Sequence, residues 1–199
     1  MFLLLTSVLA AGPALAADGL DYTLPNGLRV ILLENHRAPV TSMLVWVKVG
    51  SVSEKKGEYG LAHLMEHMMF KGTVRRGPGE IAREVESSGG EINAYTSFDQ
   101  TVYYINMASR FQDKGLEILG DMVFDAVFDP AEFSKEKEVV LEELRRGEDE
   151  PGRRISTALF SKVFREHPLR PTGHRLFLGI KVRVPGRRPV LLSALLPPG

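Results

Sequence analysis

Residues 60–73 read GLAHLMEHMMFKGT. A helix over residues 57–70 would carry Leu61, Ala62, Leu64, Met65, Met68, Met69 and Phe70 on nearly every side, which places it inside a core rather than on a surface. Three ionisable residues interrupt that apolar run: His63, Glu66 and His67. The histidines stand at i and i+4, neighbours on one helical face, so both imidazoles can reach one metal ion. The pattern is H-x-x-E-H, the reverse of the commoner H-E-x-x-H. In either order the glutamate sits where it can take a proton from a water on the ion. An unpaired charge on a buried helix is costly or shifts its pKa to stay neutral, and a bound metal removes that cost. The competing reading is a pair of hydrogen-bonded core histidines beside a structural glutamate.

Working outward, Asn26-Gly27 lies between β-prone runs in residues 20–34, a hairpin pattern, and residues 41–49, TSMLVWVKV, read as a largely buried strand. A second helix is expected over 78–87, ended by Gly89-Gly90. Strands over 91–97 and 101–107 follow, joined by a polar turn at Phe98-Asp99-Gln100. An amphipathic helix over 110–128 precedes Asp129-Pro130, an N-cap followed by proline at the first helical position. That pair starts a fourth helix running to about Gly147, and a fifth is expected over 153–166. Helices mixed with hairpin strands predict an α+β fold with a mostly antiparallel sheet packed by helices.

Composition narrows the chemistry. The chain has 199 residues, Lys+Arg 25 against Asp+Glu 25, and no cysteine. Disulfide frameworks and cysteine metal sites are therefore excluded, and charge balance gives no support to nucleic-acid binding. Residues 2–16, FLLLTSVLAAGPALA, read as a signal peptide cleaved after Ala16, which predicts an exported, periplasmic or secreted protein. The run is too short to span a bilayer comfortably, so no stable membrane span is expected.

A catalytic zinc site commonly uses three protein ligands, so one more is needed. Glu136 and Glu143 lie two helical turns apart and share a face with Val139 and Val140, which by periodicity point to the core. A carboxylate there needs a partner, and zinc suits Glu143, with Glu136 nearby in support. The alternative is that KEKEVVLEELRRGEDE is an ordinary solvated acidic face. Two histidines and a carboxylate are also ligands for iron, cobalt or manganese.

Four stretches together resemble the pitrilysin/insulinase family of zinc peptidases, nearest its bacterial branch similar to mitochondrial processing peptidase: LPNGLRVILLEN, GLAHLMEHMMFKGT, GGEINAYTSFDQTVYY and EKEVVLEELRRGEDEP. The resemblance also sets the third ligand some 76 residues beyond the second histidine, where Glu143 stands. It implies one zinc ion per chain held by His63, His67 and Glu143, with Glu66 as general base and Glu136 supporting the site. It further implies that Asn93 and Ala94 lie on an edge strand to which a peptide substrate adds as another strand.

The likeness covers residues 20–168, so the expected domains are a leader over 1–16, an incomplete catalytic domain over 17–169, and an atypical basic, proline-rich tail over 170–199. After Glu166 there is no acid, while Arg170, Arg175, Lys181, Arg183, Arg187 and Arg188 follow, as in a truncated or frame-shifted end. Residues 185–199 match neither helical nor strand periodicity for long. The family's second homologous domain, which would help grip the peptide, has no counterpart here and would come from another domain or subunit in trans. The expected function is zinc-dependent hydrolysis of short or unfolded peptides. The rivals are a non-catalytic partner subunit, an inactive gene fragment, and an unrelated membrane-associated α+β protein.

Overall fold

The computed structural model describes residues 19–55, 57–167, 169, 180–182 and 190–192. The leader expected over 1–16, and the tail from 170 apart from two short strands, lie outside the described residues. The chain divides at Pro39 into two units. In the first, β1 (Leu20–Thr23) pairs antiparallel with β2 (Arg29–Leu32), in register Leu20 to Leu32 and Thr23 to Arg29. Gly27, at φ 88°, makes the turn its sequence announces.

The second unit is built on a three-stranded antiparallel sheet in the order β3 (Val40–Val47), β5 (Thr101–Ala108), β4 (Glu91–Thr96). Strand alternation puts Met43, Tyr103, Ile105 and Met107 on the face that meets the helices. There they pack with Ile81 and Val85 of α2 (Glu80–Ser87) and Ile118, Leu119 and Met122 of α3 (Gln112–Asp125). The reading of β3 as largely buried needs correction. Leu44 and Trp46 are 52% and 57% exposed, because the strand is covered on one face only and alternate residues point away from the core.

The apolar helix is α1 (Leu61–Met69), and none of its residues is exposed, as a stripe-free apolar pattern requires. It begins at Leu61 rather than near Gly57 because Gly60 takes a left-handed φ of 86°, a conformation glycine adopts freely. No local side chain caps this end. Glu54 does so from the preceding loop, accepting from the Gly60 and Ala62 amides at 2.8 and 2.9 Å.

Beside α1 runs α4 (Pro130–Asp149), opened by the expected Asp129 cap, whose carboxylate accepts from Ala131 and Glu132. Phe128 just before the cap packs with the cluster containing Phe133, a hydrophobic staple that fixes how the chain enters the helix. Leu64 and Met68 of α1 meet Phe133 and Val140 of α4 in a second apolar cluster. The α4 face expected to hold both valines holds one. Val140 is fully buried and Val139 is 43% exposed, since the contact stripe follows Glu136, Val140, Glu143 and Gly147 and leaves Val139 on its flank.

Helix α5 (Pro151–Val163) follows α4. In the tail, β6 (Ile180–Val182) and β7 (Val190–Leu192) form a short antiparallel pair, so strand structure reaches into the stretch read as aperiodic. No helix among the described residues is long and apolar enough to cross a membrane.

Candidate metal centre

The seam between α1 and α4 brings three donors together. One ligand atom from each of His63, His67 and Glu143 lies within 4.8 Å of the others. Glu143 Oε2 is 3.5 Å from His63 Nε2 and 3.6 Å from His67 Nε2. A tetrahedral ion with bonds of ~2.0–2.1 Å sets its ligand atoms roughly 3.3 Å apart, so this donor set fits zinc in type and in spacing. The two imidazoles meet edge to face with centroids 4.8 Å apart, which keeps both nitrogens pointing at the shared carboxylate.

The supporting contacts prepare that arrangement. His67 Nδ1 lies 3.0 Å from Glu136 Oε2, and Lys71 Nζ lies 2.8 Å from the other Glu136 oxygen. Burial alone would raise the Glu136 pKa, but the hydrogen bonds from Lys71 and His67 outweigh it and hold the carboxyl below its usual range. An ionised Glu136 only accepts, so Nδ1 carries a proton toward it, and in the neutral imidazole of that tautomer Nε2, on the Glu143 side, is the nitrogen that can bind a metal. His63 is pushed below the ordinary histidine pKa, first by burial and then by the neighbouring His67 and by Arg153. A neutral imidazole is the form that binds metal.

The structure also separates Glu143 from its neighbour. Glu142 points out to Arg145 and Arg146, at 3.4 and 3.5 Å, in exposed pairs along the helix. Glu66, 9% exposed, is held at Oε2 by the Thr96 hydroxyl, 2.5 Å away on β4. Asn93 and Ala94 lie on β4, which has no further strand on its outer edge among the described residues. The Asn93 amide oxygen accepts the Ala94 N–H at 2.8 Å, so that donor is turned to its own neighbour.

Three contributors escaped the sequence reading: Thr96, Glu54 and Arg153. Arg153 of α5 lies against Gly147, where even a Cβ on the α4 backbone would collide with its guanidinium. A glycine inside a helix costs ~1 kcal/mol against alanine, and this conflict with local preference was the visible hint.

The fold and the convergent donors define an α+β domain with a two-histidine, one-carboxylate centre suited to a divalent metal. The chain belongs to the insulinase family, peptidase family M16, whose model matches residues 29–172. It is 36% identical over 148 residues to a Bacillus subtilis protein named as an uncharacterized zinc protease, covering 74% of this chain and 36% of that one. It is 37% identical over 146 residues to the mitochondrial-processing peptidase subunit beta of Blastocladiella emersonii, covering 73% and 31%. The crystal structure of a protease from Helicobacter pylori is similar with a TM-score of 0.74 and 34% identity, over 77% of this chain and 38% of that one. The chain thus spans about a third of the length of the curated relatives it matches.

Proposed function

We propose that this chain is the metal-bearing part of a zinc endopeptidase that hydrolyses short or unfolded peptides. The observation that carries the reading is the convergence of His63, His67 and Glu143 within 4.8 Å on two different helices, with the Glu66 carboxylate beside His67 in α1. One zinc ion, when bound by those three residues, would polarise the scissile carbonyl and acidify a water.

The remaining steps belong to the chain. Glu66 takes the proton of the attacking water on its carboxylate and passes it to the departing amine. Glu136 holds His67 in the tautomer that presents Nε2. Asn93 and Ala94 on the open edge of β4 would take an extended peptide as an added strand, an arrangement that asks little of peptide sequence. Grip from the far side would come from a second homologous domain or subunit. The segment over residues 1–16, read as a signal peptide, would direct export and be cleaved after Ala16.

Glu66→Gln separates binding from chemistry. The variant should keep zinc at the wild-type level while hydrolysis of a fluorogenic peptide falls by ~10²–10⁴-fold. Loss of both together would refute the proton-transfer role. Zinc bound at wild-type level by a wild-type chain that hydrolyses no peptide would favour the non-catalytic subunit instead.

A further inference from the structure

The Glu66 carboxylate has no hydrogen-bond partner on its own helix, and the terminal torsion of a glutamate is broad, so burial alone does not decide where its two oxygens point. Thr96 decides it. Its hydroxyl reaches Glu66 Oε2 from β4, thirty residues away in sequence, while no partner for Oε1 is found among the described residues. The proton on Thr96 is committed to that bond. Thr101, 3.3 Å from it across the β4–β5 pair, gives its own proton to the Val49 carbonyl at 3.0 Å, so with both protons placed the two hydroxyls do not bond to each other. Thr101 is 4% exposed and Thr96 half-buried, so water has little room to replace either contact. Thr96 also shares a strand face with Ala94, two residues earlier on the sheet's open edge.

We infer that Thr96 is a positioning residue that pins one oxygen of Glu66 and so aims the other at the site. The inference rests on Glu66 being the proton acceptor. It gives β4 a second role, because the strand proposed to hold the peptide also orients the base, and chemistry and docking then share one rigid element. A hydrogen bond to a charged group contributes ~1.5–3 kcal/mol, which corresponds to a rate effect of roughly ten- to a hundredfold.

The test uses the full chain with Thr96→Val and Thr96→Ser. In the zinc-loaded protein Thr96→Val should lower kcat about tenfold or more, with KM and zinc content unchanged, and Thr96→Ser should restore kcat to within about threefold. A merely structural loss would move stability or zinc content and would not be rescued by serine alone. The second readout does not need activity. In metal-free chain labelled with ¹³C at the glutamate carboxyls, the Glu66 resonance, identified by its absence in Glu66→Gln, should shift in Thr96→Val and stay put in Thr96→Ser. Resonance shifts of that kind in a chain with no hydrolysis would sustain Thr96 as the positioning contact and count against the peptidase reading. An unmoved Glu66 resonance in Thr96→Val, or a serine variant as impaired as valine, would overturn the inference.

Discussion

Two clusters of buried charge in the second unit are built on opposite plans. At the junction of α2 and α3, Asp121 is 1% exposed and every partner it needs is internal: Thr73 Oγ1 at 2.5 Å, Arg76 Nη1 at 2.7 Å and Arg75 Nε at 2.9 Å. Arg76 continues the network to Glu84 and Glu117, each about 3 Å away. At the seam of α1 and α4, Glu136 is matched in the same way by Lys71 and His67, but His63 Nε2, His67 Nε2 and Glu143 Oε2 converge on one another, with no lysine or arginine paired to Glu143 among the described residues. The first cluster is electrically complete; the second, on the reading proposed above, would be completed by a divalent ion. Burial of charge therefore does not by itself mark a functional site, whereas convergence of several metal-ligating atoms on one point makes a candidate for one.

The contrast can be broken from the structural side first. Asp121→Ala leaves Arg76 buried and stripped of its closest carboxylate, so denaturant unfolding of the metal-free chain should show a loss of ~3–5 kcal/mol. Zinc binding by whatever fraction stays folded should be unchanged. A stability loss below about 1 kcal/mol would mean the network is not the closed structural unit described.

Smaller in energy, and opposite in kind, is Glu136→Gln. It removes the charge that fixes the His67 tautomer, so a competition titration should show zinc affinity reduced by ~10–100-fold with little change in folding. An unaffected zinc affinity would remove Glu136 from the support of the centre.

The smallest effect concerns how α1 is placed. Burial is the main reason the Glu54 pKa is raised above the ordinary 4.5, with the Ala62 and Gly60 amides opposing it and Glu58 adding to it. A raised folded-state pKa means the native state binds the proton more tightly than the unfolded chain. The group's contribution is then full below the unfolded pKa and lost as pH rises through the folded value. In metal-free chain, wild-type stability relative to Glu54→Gln should rise as pH is lowered from about 7 toward 4.5. A difference that shrinks over that range would reverse the sign and contradict the burial account.

What the sequence made legible follows from the range of the interactions. The H-x-x-E-H face, the Asp129-Pro130 start and the Asn26-Gly27 turn are local rules of backbone and helix geometry, and the structure has each in place. Glu136 and Glu143 were readable as one helical face. That this face meets His63 and His67 needed the family's spacing, because nothing local joins α1 to α4. Thr96 and Glu54 act across loops and strands, and neither threonine in a strand nor glutamate in a loop is unusual enough to be noticed. The errors share one cause. Val139, the outer residues of β3 and the start of α1 were judged from pattern alone, while the actual burial depends on which neighbour covers each face and on one left-handed glycine.

The central claim is that the α1–α4 seam is a three-ligand metal site rather than a set of core histidines beside an acidic face. Elemental analysis of dialysed, folded chain tests it most directly, comparing wild type with Glu143→Gln and Glu142→Gln. A three-ligand site predicts about one zinc per chain in wild type and Glu142→Gln, and a clear loss in Glu143→Gln. No metal in a folded wild-type chain, or equal loss in both variants, would contradict it.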